Sequence, residues 1–331
     1  MTGRHLQLEV HGVRVALEGD TEAIERLRLH FAAYAVEERR MASHVHIELL
    51  RASPRLEAGP RLRADQVVDR GVVYNLGSVT VVDHHGHAVS RYDFRTERGE
   101  VRSDATEDLV EVGYLMVHSR VGVLLEQRGL VRLHCLAVAR GGRAAVVLSP
   151  SGGGKSTLAR AVLRHTDLAL LGDDMVLVDR RGQVLPFHSP LGVTDPSQAA
   201  GLGEPVAFPR RHHPPKWILP LEAVDTRLAQ GPHRPALLAL GVRVSTRPSR
   251  LAPVPRGRAA PALWRDMVVG LGLPQVLELL ARRGGRDLPR LAPSALRRVR
   301  AATRLLAQAR CAEVELGDPA EAAGLLARAL R

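Results

Sequence analysis

Residues 144–163 read AAVVLSPSGGGKSTLARAVL, and the fold turns on them. The apolar run 144–148 predicts a buried strand. Three successive glycines, 152–154, predict a tight turn, and the residues from Lys155 to Arg164 follow a helical pattern. Strand, glycine turn, Lys-Ser-Thr and helix in that order are the setting a phosphate-binding loop requires. Glycines let backbone N–H groups turn inward around phosphate oxygens, and the following helix offers its positive end to the same oxygens. Lys155 is expected to reach the β- and γ-phosphates of ATP, with the Ser156 hydroxyl on Mg²⁺. The expected nucleotide-binding set is Ser149, Ser151, Gly152, Gly153, Gly154, Lys155, Ser156 and Thr157. The usual pattern, G-x-x-x-x-G-K-[ST], has glycine where this chain has Ser149. Serine fits there only if its φ is not strongly positive.

Working outward, an apolar strand over 168–171 runs into Gly172-Asp173-Asp174. Adjacent carboxylates on an extended backbone point to opposite sides. One can face a substrate hydroxyl while the other faces the metal and phosphates. Upstream, His134 lies in an apolar strand over 131–139, which is expected to pair beside the loop strand and place His134 at the edge of the site.

Together these features resemble the HPr kinase/phosphorylase family and its relatives. The matching stretch runs from Leu133-His134-Cys135 through 149–157 to Leu171-Gly172-Asp173-Asp174-Met175. The resemblance implies an α/β fold with a P-loop HPr kinase / PEP carboxykinase-like core, an N-terminal α+β domain and C-terminal helices. It implies Asp173 as the acid/base for the acceptor hydroxyl, Asp174 near Mg²⁺ and His134 lining the site. Residues 182–194 (GQVLPFHSPLGVT) look more like the HPr-kinase-related proteins of peptide-modification clusters. That implies a hydroxyl acceptor on a peptide or protein, and leaves a homo-oligomer open. Two other readings of the same residues stay open: a small-molecule kinase on this core, and a non-catalytic nucleotide-dependent binding protein.

The remaining chain divides by pattern into 1–104, 105–250 and 251–331. The first part reads as a hairpin over 5–17 turning at His11-Gly12, a helix over 21–34, and strands at 44–50, 72–83 and 88–94. Asp83-His84-His85-Gly86-His87 reads as a hairpin turn rather than a metal site. A helix over 107–129 opens the middle part. Its later stretch, 195–235, is rich in Pro, Gly and His and reads as loop with a short element at 217–221, before a strand at 236–244. Helices are expected at 261–282 and 293–309, with a strand completing the core at 311–316. A last helix spans 319–330, capped by Asp318 with Pro319 in first position.

Bulk composition narrows the function. Aromatic residues are 3% of the 331, so the cores are aliphatic and base-stacking surfaces for single-stranded nucleic acid are not expected. The net charge is +12, but the arginines are scattered and no nucleic-acid module is recognisable. No apolar run approaches the roughly 20 residues that span a bilayer. With no secretory signal and two cysteines, Cys135 and Cys311, the expected compartment is the cytoplasm. Of 47 Lys and Arg residues only Lys155 and Lys216 are lysine. Where arginine has filled nearly every cationic position, surviving lysines are enriched where a planar guanidinium does not fit. Lys155 lies in the motif as that logic requires, so Lys216 becomes a second candidate, against the alternative of a chance survivor. His212-His213, stiffened by Pro214-Pro215, could flank a substrate or form a surface loop. Cys135 reads as a buried strand residue.

Overall fold

The computed structural model describes residues 5–37, 42–56, 63–150, 152–208, 216–244, 248–282 and 284–331. Along the chain the elements are β1 His5–Val10, β2 Val13–Gly19, α1 Thr21–His30, β3 Ala35–Val36, β4 Val45–Arg51, β5 Gln66–Val68, β6 Gly71–Leu76, β7 Val79–Asp83, β8 Val89–Asp93, β9 Arg98–Ser103 and α2 Thr106–Gln127. Then follow β10 Val131–Leu133, β11 Leu136–Arg140, β12 Arg143–Leu148, α3 Lys155–His165, β13 Ala169–Gly172, β14 Val176–Val178, β15 Val184–Leu185, β16 Leu191–Val193, β17 Val206–Phe208, β18 Lys216–Leu219 and β19 Arg234–Arg243. The last are β20 Arg250–Pro253, α4 Arg256–Leu263, α5 Leu277–Leu280, α6 Leu288–Gln308, β21 Arg310–Leu316 and α7 Pro319–Ala329. The fold is mixed α/β with several sheets. No helix among the described residues is long and apolar enough to cross a membrane.

The chain forms two compact units. The first is Met1–Leu125 with Pro209–Pro215 and Pro274–Ala292, and the second is the remainder. Among the described residues the first unit carries one nine-stranded sheet, in the order β3-β1-β2-β4-β9-β8-β7-β6-β5. The β1–β2 hairpin turns at His11 (φ 46) and Gly12 (φ 80), the left-handed pair that a two-residue hairpin needs. The segment 72–83, read as one strand, is two. Gly77 at φ 64 reverses the chain between β6 and β7. The histidine-rich stretch after Asp83 is the β7–β8 turn, where Gly86 N donates to Asp83 Oδ1 at 2.8 Å.

The second unit is built on a six-stranded sheet ordered β13-β11-β12-β19-β21-β20. β12, β19 and β21 run parallel, and their neighbours are antiparallel. Both faces of this sheet are covered, so its strands read as continuous apolar runs. Val147, Val138 and Ala239 face Leu158 and Val162 of α3 and Leu326 of α7. Their chain neighbours Val146, Ala137 and Leu238 face Ala259 and Leu263 of α4 and Leu305 of α6. The period of two in the strands and the helical period in α3 thus meet at one strand–turn–helix junction, 148–155.

Three further expectations need correction. The segment 131–139 is not a single strand: it breaks at His134-Cys135, β10 pairing with β14 and β11 with β12 and β13. The segment 195–235 contains β17 and β18, which with β16 make a three-stranded sheet. Nor is 261–282 one helix. α4 ends at Leu263, Trp264–Val269 form a π-helical turn, and Gly270 stops it in the left-handed region at φ 77.

Candidate functional site

The turn after β12 is held by contacts that explain its residues. Ser149 is buried and is not among the residues with positive φ, so serine is compatible with the backbone there. Its Oγ donates to Gly153 O at 3.2 Å. Gly152 (φ 75) and Gly154 (φ 95) occupy the left-handed region, where a side chain is strained. Gly153 is required for space instead, because a Cβ there would collide with Ser149 Oγ. Gly154 is the N-cap of α3, whose first residue is Lys155. Lys155 is buried, and its Nζ donates to Ser149 O at 2.6 Å and Pro150 O at 3.3 Å. Two carbonyls hold the ammonium at the turn without neutralising it. Ser156 is half-buried and Thr157 exposed. Ser151 lies outside the described residues.

β13 delivers the acidic pair. Gly172 ends that strand in a crowded bend, where a Cβ would strike the Met175 carbonyl and come within 3.0 Å of Phe187 O. Asp173 is 2% exposed and Asp174 is exposed, so the two carboxylates occupy different environments. His134, at the break between β10 and β11, places Nδ1 2.7 Å from Asp174 O. His134 and the acidic pair therefore meet at one bend, and the Lys155 charge reaches them.

Electrostatics tie these groups together. Burial pushes the Lys155 pKa down, and the carboxylates of Asp174, Asp173 and Asp266 oppose it. Burial also lowers the His134 pKa, reinforced by the Lys155 charge, so the imidazole is neutral at pH 7. Cys135 is buried as expected but lies in the break between β10 and β11 and not in a strand, and burial pushes its thiol far up, leaving no thiolate for chemistry.

Two contributors carry no recognisable motif. Arg160, in the third position after Thr157 on α3, is buried and donates to Gly192 O at 3.1 Å and Gln198 Oε1 at 3.0 Å. The Asp173 carboxylate supports its charge against burial. Asp266, on the π-helical turn, is buried and acts on Lys155, His134 and Cys135. Arginine on a helix and aspartate near a tryptophan are unremarkable in a sequence, and only the tertiary fold brings them here.

Lys216 opens β18 opposite Phe208, and its side chain lies outside the described residues. His212, His213, Pro214 and Pro215 also lie outside them. Among the described residues no group of three or more His, Cys, Asp or Glu side chains is arranged to hold a metal ion. No known family matches the chain, and no curated protein is significantly similar to it.

Proposed function

We propose that the protein is an ATP-dependent kinase of the HPr kinase type, transferring the γ-phosphoryl group to a hydroxyl, with serine of a peptide or protein as the acceptor. The observation that carries this reading is the convergence of Lys155, on its glycine turn, with Asp173 and Asp174. A bare nucleotide site uses one carboxylate for Mg²⁺; the second, buried one is left over for the acceptor hydroxyl. A P-loop core of the HPr kinase / PEP carboxykinase kind is part of the same proposal, supported by the succession of β12, glycine turn and α3 with the acidic pair one strand later.

Each residue then has a task. Lys155 and the N–H groups of 152–156 bind the phosphates, with the positive end of α3 behind them. Ser156 and Asp174 supply hard oxygens of the type Mg²⁺ takes. Bound there, Mg²⁺ neutralises charge on the phosphates. Asp173 accepts the proton of the acceptor hydroxyl. His134 fixes the backbone just after the two acids, at the Asp174 carbonyl. Catalysis of this kind is positioning and charge stabilisation.

The test is incubation with γ-labelled ATP and serine-containing peptides encoded beside the gene. Label transfer is expected, lost in Asp173→Asn while ATP binding stays near wild type. Transfer at the wild-type rate by Asp173→Asn would remove Asp173 from its role. Transfer only to small hydroxyl compounds would reassign the acceptor. Tight ATP binding without transfer to any acceptor would leave a nucleotide-dependent binding protein.

A further inference from the structure

We propose that Arg265, held by Asp266, is a further catalytic residue of this site, binding the phosphoryl group in transit. The inference rests on the nucleotide site proposed above and adds a second cation to Lys155.

The turn that carries this pair is fastened to the site. His134 N donates to Asp266 O at 3.2 Å. Further along the same segment, Gly272 (φ 83) lies against the His134 ring, where a Cβ would come within 2.6 Å of Cδ2 and 2.7 Å of Nε2. The residues 266–272 therefore form a wall over the imidazole that also bonds Asp174 O. Gly270 N and Leu271 N both donate to Arg265 O at 3.1 Å, closing the turn on Arg265 itself. Single π-helical turns are frequent at functional sites.

The side chains then divide the work unequally. Asp266 takes Arg265 Nε on Oδ1 at 2.6 Å and Nη2 on Oδ2 at 2.8 Å. The Asp266 side chain is 3% exposed and that of Arg265 is 37% exposed. The carboxylate is sunk within electrostatic reach of Lys155 and the guanidinium is the more exposed partner, with no hydrogen bond from Nη1 among the described residues. Asp266 alone would add a negative charge where a nucleotide's phosphates must come. Paired with Arg265 it is neutralised, and a pre-oriented planar donor is presented instead. A guanidinium is the side chain suited to phosphate oxygens. An ion pair serving packing alone gains little over apolar residues, and nothing in packing calls for one beside the motif lysine. Asp266 is the positioning residue and Arg265 the one that touches phosphate.

The test uses the full chain and compares binding of MgADP with MgADP plus aluminium fluoride, a mimic of the phosphoryl group in transit, by titration calorimetry. Wild type is expected to bind both, the second more tightly. Arg265→Ala leaves the Asp266 charge unpaired, so MgADP binding should weaken and the melting temperature fall, while the loss on the fluoride complex should exceed the loss on MgADP tenfold or more. Should that variant not fold, Arg265→Gln, which retains a hydrogen bond to Asp266 without the charge, decides the same question. Equal loss on both complexes, or no loss on either, overturns the role of Arg265 and leaves the nucleotide site standing. Failure of wild type to bind MgADP overturns the nucleotide site and this inference with it.

Discussion

The Nδ1 nitrogen of His134 lies 2.7 Å from the backbone carbonyl oxygen of Asp174. A carbonyl only accepts, so Nδ1 carries the proton and, in the neutral ring, Nε2 does not. The bond joins the break after β10 to the bend after β13, and it fixes the peptide that follows Asp174, next to both acids. His134→Ala should loosen that peptide and misplace both carboxylates. Small displacements of reacting groups cost on the order of 100-fold. The expected outcome is kcat lowered about 10- to 100-fold, with ATP affinity nearly unchanged. His134→Asn, whose amide can still donate, should recover part of the loss. Steady-state phosphorylation by the three proteins checks this, and an unchanged kcat in the alanine variant would show that the bond positions nothing.

Gly172→Ala probes the same bend from the other side. The added Cβ meets the backbone carbonyl of Met175, which cannot rotate away as a side chain could. Overpacking of this kind costs about 1–3 kcal/mol. In a chain of this size each kcal/mol shifts the melting temperature by a few degrees. A lower melting point together with impaired phosphoryl transfer is expected, read by thermal unfolding and labelled-ATP assay. Wild-type values in both would mean that the bend has room the structure does not show.

The legible parts of the fold are those with local causes. The β12–turn–α3 unit reads directly from 144–163, because strand period, glycine run and helical period follow one another within 20 residues. The β1–β2 hairpin reads from His11-Gly12 for the same reason. The break at His134-Cys135 does not, since VRLHCLAVA holds no glycine or proline and nothing local says that the chain changes sheets there. The stop at Gly270 has a local signal, Gly270-Leu271-Gly272-Leu273-Pro274, that the helical spacing of apolar residues on either side outweighs in a reading by period. In the candidate site, Lys155 and the acidic pair are visible through motif and spacing. Arg160 and Asp266 are not, because their placement depends on packing between elements distant in sequence.

Arg160 gives a prediction of its own. Its guanidinium spans from Thr157 Oγ1 (3.3 Å) to Gly192 O (3.1 Å) and Gln198 Oε1 (3.0 Å), and so pins the β16 segment to α3. Arg160→Ala leaves those partners with bonds unmade, at a cost of about 1–3 kcal/mol. Arg160→Lys should recover only part, because a single ammonium lacks the fork that reaches all three. Urea unfolding of the three proteins measures the difference. Equal stability of the alanine variant and wild type would deny Arg160 the pinning role.

His84 should give the protein an acid-sensitive step in stability. The partly buried ring lies between Arg70 O (3.2 Å) and Ser90 Oγ (2.8 Å) in the β7–β8 turn. Burial is the main cause lowering its pKa from 6.5 to about 4; the bond to Arg70 O and the nearby Asp83 carboxylate pull the other way. In the unfolded chain the ring titrates near its ordinary value of about 6.5. Between these two values the unfolded state binds a proton that the native state does not. Stability from this group is therefore full above pH 6.5, falls as pH drops through the window, and levels off below about 4. For a partly buried ring the total is on the order of 2 kcal/mol. His84→Gln has no proton to take up and should show a flatter acid limb. Urea midpoints of both proteins across the window read this directly, and an identical acid slope in the two would remove His84 as its source.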